Sequence, residues 1–204
     1  IDEESMCCLA GGSAAAVRPL IYEGRAALGR SGAPYGQYLL QDVVDGRVSA
    51  RMQVFLAAWM LDTAERKALA AGRTAPDARG ITRVWCWAPG YLTPDRADVA
   101  GIRALTGFEA RSVEVPTAEV TPTERGRAQG LTHAWGPKTI IRPLFCVEAA
   151  ADEILATYAD GSAAVAVRRS EAGLDVFVGV PQLTPELVHT LAGVSGVHLF
   201  TSPG

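Results

Sequence analysis

The stretch Val84-Trp85-Cys86-Trp87-Ala88-Pro89-Gly90-Tyr91 decides the fold. An apolar run breaks at a Pro-Gly pair, and Thr93-Pro94-Asp95 follows in the order of a helix start. The order supplies a hydroxyl N-cap, a proline at the first helical position and a carboxylate at the positive end of the dipole. The spacing predicts a strand over Ile81–Trp87 that turns directly into a helix carrying Val99, Ile102 and Leu105 inward and stopping at Gly107. In an open α/β sheet such turns lie at the carboxyl edge, where ligands bind and nucleophiles are mounted. Ala88, Pro89 and Gly90 offer no hydroxyl, thiol or carboxylate for that task.

Outward from this elbow the alternation of strand and helix continues. Ile1-Asp2 reads as the tail of a first strand, Tyr35 to Leu40 as a second and Met52 to Leu56 as a third. Ala14 to Arg30 is a helix with Val17, Leu20, Ile21 and Leu28 on one face. Asp62 and Glu65 form a capping box for a helix reaching about Ala71. Gly11-Gly12-Ser13 and Gly72 to Gly80 read as loops, the first too short, and without the lysine, for a phosphate loop. The expected class is therefore α/β: a three-layer, doubly wound, mostly parallel sheet.

Downstream the pattern changes. Phe108 to Val115 is a weaker strand, and Pro116 to Lys138 is an irregular excursion rich in Thr, Gly and Pro. After a strand around Thr139–Val147, Asp160-Gly161 marks a hairpin between Ile154–Tyr158 and Ala163–Val167. Glu171-Ala172-Gly173 turns into Leu174–Val180, completing an antiparallel meander. Thr184-Pro185-Glu186 opens a last helix with Leu187, Val188, Leu191 and Val194 inward, and Val197–Phe200 is strand-like. No linker divides the chain, so residues 1–204 read as one domain. The start at Ile1 and the abrupt end after Phe200 suggest a piece of a longer protein, its first strand beginning upstream.

Composition narrows the functional classes. A net charge of −3, with no basic run beyond Arg168-Arg169, gives no footprint for nucleic acid. No apolar stretch approaches the roughly 20 residues of a membrane-spanning helix, and no signal-peptide pattern is visible. Cys7, Cys8, Cys86 and Cys146 have no metal-ligand spacing and read as free thiols, which points to the cytoplasm rather than to secretion. No cofactor and no metal is called for.

Four segments should converge at the carboxyl edge of the sheet. They bring Glu3 and Ser5, Asp42, Trp59, and Pro89, Gly90 and Tyr91 toward one crevice. Cys86 is the candidate nucleophile, because a cysteine at such an elbow is how amidotransferases are built. It stands two residues early, however, inside the strand and under a helix. His133, His189 and His198 also lack a carboxylate two residues on. Asp2-Glu3-Glu4 could supply a general acid and base, or simply solvate a strand end. Trp85 and Trp87 share one strand face and read as core, which leaves Trp59 and Tyr91 as the candidates for stacking on a sugar.

Nearly the whole chain carries a family likeness. The segments are Asp2-Glu3-Glu4-Ser5, Ser31–Asp42 (SGAPYGQYLLQD), Met52–Leu69 (MQVFLAAWMLDTAERKAL), Val84–Leu92 (VWCWAPGYL) with Leu105–Glu109, and Leu155–Phe200. They resemble the flavodoxin-like, class I glutamine amidotransferase-like domain of large multidomain glycoside hydrolases, called the trimerisation domain in family 42 β-galactosidases. The resemblance implies a non-catalytic domain that packs on a separate TIM-barrel catalytic domain and on neighbouring subunits. The parent would be a homo-oligomer, with trimers among the expected assemblies, and the crevice would stand near carbohydrate. One departure is Ala57, where a polar Asn is expected after the third strand. The rival readings are a stand-alone amidohydrolase using Cys86 and a sugar-binding module using Trp59 and Tyr91.

Overall fold

The computed structural model describes residues 1–8, 14–74, 80–170 and 173–204, without the side chains of Ala14, Arg73 and Thr74. The Gly11-Gly12-Ser13 loop, most of the Gly72–Gly80 loop and the Glu171-Ala172 part of the last turn lie outside the described residues.

Eight strands form one sheet: β1 (Met52–Phe55), β2 (Ile81–Cys86), β3 (Ala110–Val113), β4 (Thr121–Pro122), β5 (Leu144–Val147), β6 (Ile154–Thr157), β7 (Ala163–Ser170) and β8 (Gly173–Val178). Their spatial order is β1-β2-β8-β7-β5-β3, with β6 also on β7 and β4 beside β6. β1, β2 and β8 run parallel, while β7 and the strands beyond it join through antiparallel pairs. The α/β class and the antiparallel meander therefore stand as expected. β2 and β8 are buried on both faces, whereas β1, whose apolar run Met52–Phe55 suits a doubly covered strand, is only partly buried over its first three residues.

Helices lie on both sides of this sheet: α1 (Glu3–Cys8), α2 (Ala14–Val17), α3 (Gly24–Arg30), α4 (Leu40–Val44), α5 (Thr63–Thr74), α6 (Ala100–Thr106), α7 (Glu124–Ala128) and α8 (Pro185–Val194). A π-helical stretch, Arg18–Glu23, joins α2 to α3. Its second residue is Pro19, which has no N–H to give to the α-helical ladder. The larger apolar cluster packs Leu20, Ile21, Leu187 and Leu191 against one face of the sheet. A smaller one packs Leu40, Leu61, Leu69 and Leu105 with Phe55 and Trp85.

Two of the three helix starts read from sequence are capped as expected. Asp62 and Glu65 exchange backbone bonds of 2.8 Å each, and the Thr184 hydroxyl accepts from Leu187 N–H at 3.2 Å. Gly107 ends α6 in the left-handed conformation, and Gly161 turns the β6–β7 hairpin at φ +84°.

Several expectations are corrected. Tyr35–Leu40 belongs to no strand: its first five residues have no regular structure, Leu39 is extended, and Leu40 already starts α4. Among the described residues no strand pairs with it, and it lines one cavity together with β1. Thr93 caps no helix: its hydroxyl closes a tight turn with Arg96, and α6 begins only at Ala100, where Asp98 accepts from the Ala100 N–H. The irregular excursion contains β4 and α7, the latter capped by Thr123. Val197–Phe200 forms no strand, because its backbone bonds go to Ala192 and Gly32 rather than to a sheet edge. Val194 is 47% exposed, the buried stripe of α8 closing at Ala192.

Candidate functional site at the strand-to-helix elbow

The backbone singles out one residue of the elbow. Among the described residues, Trp87 is the one non-glycine residue with positive φ, at +61°. For a bulky side chain this is a genuine outlier, and such strain collects at functional turns. The apex, where a nucleophile elbow would present its reactive atom, is therefore position 87, between Cys86 and Ala88. An indole occupies it. Its Nε1 donates to the Pro143 carbonyl at 2.9 Å, and its ring meets Trp59 edge-on with centroids 5.3 Å apart.

The left-handed turn also explains a mistaken sequence expectation. Trp85 and Trp87 were expected on one strand face, but φ at Trp87 reverses the alternation. Trp85 lies in the smaller cluster, stacked on Phe55 at 4.2 Å, with Nε1 donating to Asp175 at 3.3 Å. Trp87 lies in the larger cluster with Cys86.

Cys86 is 1% exposed at the end of β2. Burial pushes its thiol pKa up to about 12, so at neutral pH the sulfur keeps its proton and is a poor nucleophile. The imidazoles are engaged elsewhere. His189 Nδ1 meets the Ser31 carbonyl at 2.8 Å, so it is partly buried rather than solvated. His133 Nδ1 meets Thr132 Oγ1 at 2.7 Å, and His198 packs edge-on to Phe200.

Around the apex Ser5, Trp59, Pro89, Gly90 and Tyr91 pack together, with most of their polar groups already partnered. Ser5 is fully buried; its hydroxyl donates to the Met60 carbonyl at 3.1 Å and accepts from the Met60 N–H at 2.9 Å. The indole of Trp59 donates to the Ser5 carbonyl, and Trp59 is only 1% exposed. Trp59 is thus core, and its expected role as a surface platform for sugars is overturned. Tyr91 is half-buried against Phe145, centroids 4.8 Å apart. Pro89 and Gly90 are buried. The N–H groups of Trp87, Gly90 and Tyr91 already donate to Val178, Ala58 and Ala88.

Asp42 and Glu3 do not join this group. Asp42 sits in the first turn of α4, accepting from the Leu39 N–H and lying 3.5 Å from Arg47. Glu3 is exposed on α1, whose first turn is fastened instead by buried Asp2 accepting from the Ser5 N–H at 2.7 Å. Asp2, Glu4 and Asp62 lie near enough to Glu65 that their charges add to burial, the larger cause, in raising its pKa. Among the described residues no group of three or more His, Cys, Asp or Glu is arranged to hold a metal ion.

Arg66 is the residue that sequence reasoning missed. From α5 its Nη2 donates to the carbonyls of Gly90 and Leu92 at 2.6 Å each, and its Nε donates to Leu61 at 3.1 Å. Gly101 of α6 closes the other side: a Cβ there would lie 2.0 Å from the Gly90 carbonyl oxygen. The only available signal was an arginine one residue past a capping box, which fits an exposed helix position equally well.

No family model matches the chain, and no curated protein matches it. Solved structures do. The crystal structure of β-galactosidase from Bacillus circulans sp. alkalophilus superposes on 88% of this chain with a TM-score of 0.61 at 14% identity. That of the cold-adapted β-galactosidase from Rahnella sp. R3 superposes on 72% with a TM-score of 0.52 at 22% identity. The chain spans about a quarter of each, 27% and 23%. At these identities the likeness is one of fold.

Proposed function

We propose that this domain is a non-catalytic accessory and oligomerisation domain of a β-galactosidase-like glycoside hydrolase. It packs on a separate TIM-barrel catalytic domain and on neighbouring subunits, with carbohydrate near its crevice at most. The observation that carries this reading is the match of 88% of the chain to part of a β-galactosidase. The elbow supports the non-catalytic half: the strained apex holds an indole, and the adjacent thiol is buried and protonated. A fold of this kind can keep its shape through packing alone once the reactive group is gone.

The test uses the full polypeptide that carries the domain. Hydrolysis of a nitrophenyl β-galactoside by that polypeptide should persist when Cys86 is replaced by serine. Light scattering should show an oligomer that dissociates when residues 1–204 are deleted. An unchanged mass after deletion refutes the assembly role. Glutamine hydrolysis by the 204-residue chain, abolished by Cys86→Ser, would install the amidohydrolase instead.

A further inference from the structure

β8 is one of the three parallel strands, and residues 179–184 lead from its carboxyl end into α8. That is the edge at which open α/β sheets place their ligands. A cavity of about 250 Å³ lies at the start of α8, lined by Thr184, Glu186 and residues 131–135. It belongs to the strand next to β2, not to the filled elbow itself.

Residues 131–135 are fixed at both ends. Leu131 N–H donates to the Gly126 carbonyl at 3.0 Å, and Trp135 exchanges main-chain bonds of 2.7 and 3.1 Å with Val120. Between these anchors the main-chain groups of Thr132, His133 and Ala134 meet no main-chain partner among the described residues, and all three residues are exposed. They leave both donors and acceptors free at the cavity.

The Trp135 side chain is the anomaly. The residue is 8% exposed, and its Nε1 is buried without a hydrogen-bond partner among the described residues. Trp59, Trp85 and Trp87 all donate theirs, to Ser5, Asp175 and Pro143. A buried donor without an acceptor is destabilising and calls for an explanation.

Charge narrows what could supply that acceptor. An anion brings lone pairs, but it meets the Glu186 carboxylate with no lysine or arginine among the lining residues to offset it. A cation can pair with Glu186, but it brings no lone pair to the Trp135 N–H. A neutral hydroxyl does both, since it accepts and donates. Thr184 Oγ1 already accepts from the Leu187 N–H, which leaves the hydroxyl hydrogen to donate. Leu131 and the Trp135 ring offer apolar surface for C–H groups. The volume lies below the about 300–1,000 Å³ of sites for drug-sized ligands and suits a single six-membered ring.

We propose that this cavity binds one neutral sugar ring. Its hydroxyls accept from Trp135 Nε1 and donate to the Glu186 carboxylate, and the free main-chain groups of residues 132–134 take their neighbours. Trp135 Nε1 is closed to solvent before binding, so the indole tilts toward the cavity as it takes up the sugar oxygen. The inference rests on the cavity and not on the glycoside hydrolase reading.

The test titrates the 204-residue chain, isotope-labelled at its four tryptophan indoles, with galactose and with glucose. One indole N–H signal, the one absent from Trp135→Phe, should move saturably with at least one of the sugars, at a midpoint on the order of 1–10 mM. Glu186→Ala, at a half-buried position, should raise that midpoint by about tenfold or more. Acetate and tetramethylammonium ions should leave the signal in place. No saturable movement of any indole, movement of a different indole, equal movement by either ion, or an unchanged midpoint in Glu186→Ala each overturns the proposal. Should Trp135→Phe not fold, assignment of the indole signals in the unaltered chain identifies that of Trp135.

Discussion

Cys86 and Trp87 are neighbours with opposite problems. The thiol would be reactive if it were exposed, and the indole is inert but sits where a reactive group would stand. With its pKa pushed up to about 12, Cys86 has a thiolate fraction on the order of 10⁻⁴ at pH 8. Titration with a disulfide reagent should therefore find the two exposed thiols, Cys7 and Cys8, in the folded protein, and all four after denaturation. Rapid native labelling at position 86 would contradict the burial. The strain at Trp87 has its own test. Glycine normally destabilises a chain relative to alanine, but at φ +61° the order reverses. Trp87→Gly should be more stable than Trp87→Ala by about 1 kcal/mol in urea unfolding. Alanine as the more stable of the two would show that the turn relaxes once the indole is gone.

At the scale of elements, the elbow is held by its neighbours rather than by its own turn residues. α5 contributes Arg66 to the Gly90 and Leu92 carbonyls, and α6 contributes a surface with no side chain at Gly101. Glycine to alanine inside a helix ordinarily stabilises by about 1 kcal/mol. Gly101→Ala should do the reverse and cost about 1–3 kcal/mol, because the new methyl meets the Gly90 carbonyl and must push α6 away from the elbow. Chemical denaturation compared with wild type reads the sign directly; a stabilised variant would mean that the helix and the elbow are not in firm contact.

Over the whole molecule, a partly buried ion pair links β7 of the antiparallel half to the turn ahead of β6. Glu153 lies ahead of β6 and Arg168 within β7; the guanidinium donates to both carboxylate oxygens at 3.0 Å. The same guanidinium lies 4.4 Å over the Phe108 ring. Hydrogen bonding to Arg168 is the main cause holding the Glu153 carboxyl below its usual value. A depressed folded pKa means a contribution fully present above the unfolded value near 4.3 and lost as pH falls through the folded one. Glu65 works in the opposite direction, its raised pKa favouring the folded state as it protonates. Glu153→Gln should therefore remove about 1 kcal/mol or less at pH 7, and its stability should decline less steeply than wild type below pH 4. Parallel curves for the two proteins would show that the pair contributes nothing measurable.

Short-range signals were legible in the residues themselves. The Asp62–Glu65 box, the Thr184 cap, the Asp160-Gly161 hairpin and the apolar runs of β2 and β8 each depend on a few adjacent positions, so sequence alone determined them and, through their order, the α/β class. The burial of Cys86 followed in the same way from its place inside an apolar strand. The tertiary structure decided what depends on distant partners. The positive φ that turns Trp87 away from the face of Trp85 is held among Val178, Pro143 and Trp59. Trp59 is core because Ser5 receives its indole. Tyr35–Leu40 had the composition of a strand, but a strand also needs a neighbour for its main chain, and only the arrangement of the whole sheet settles whether one is there.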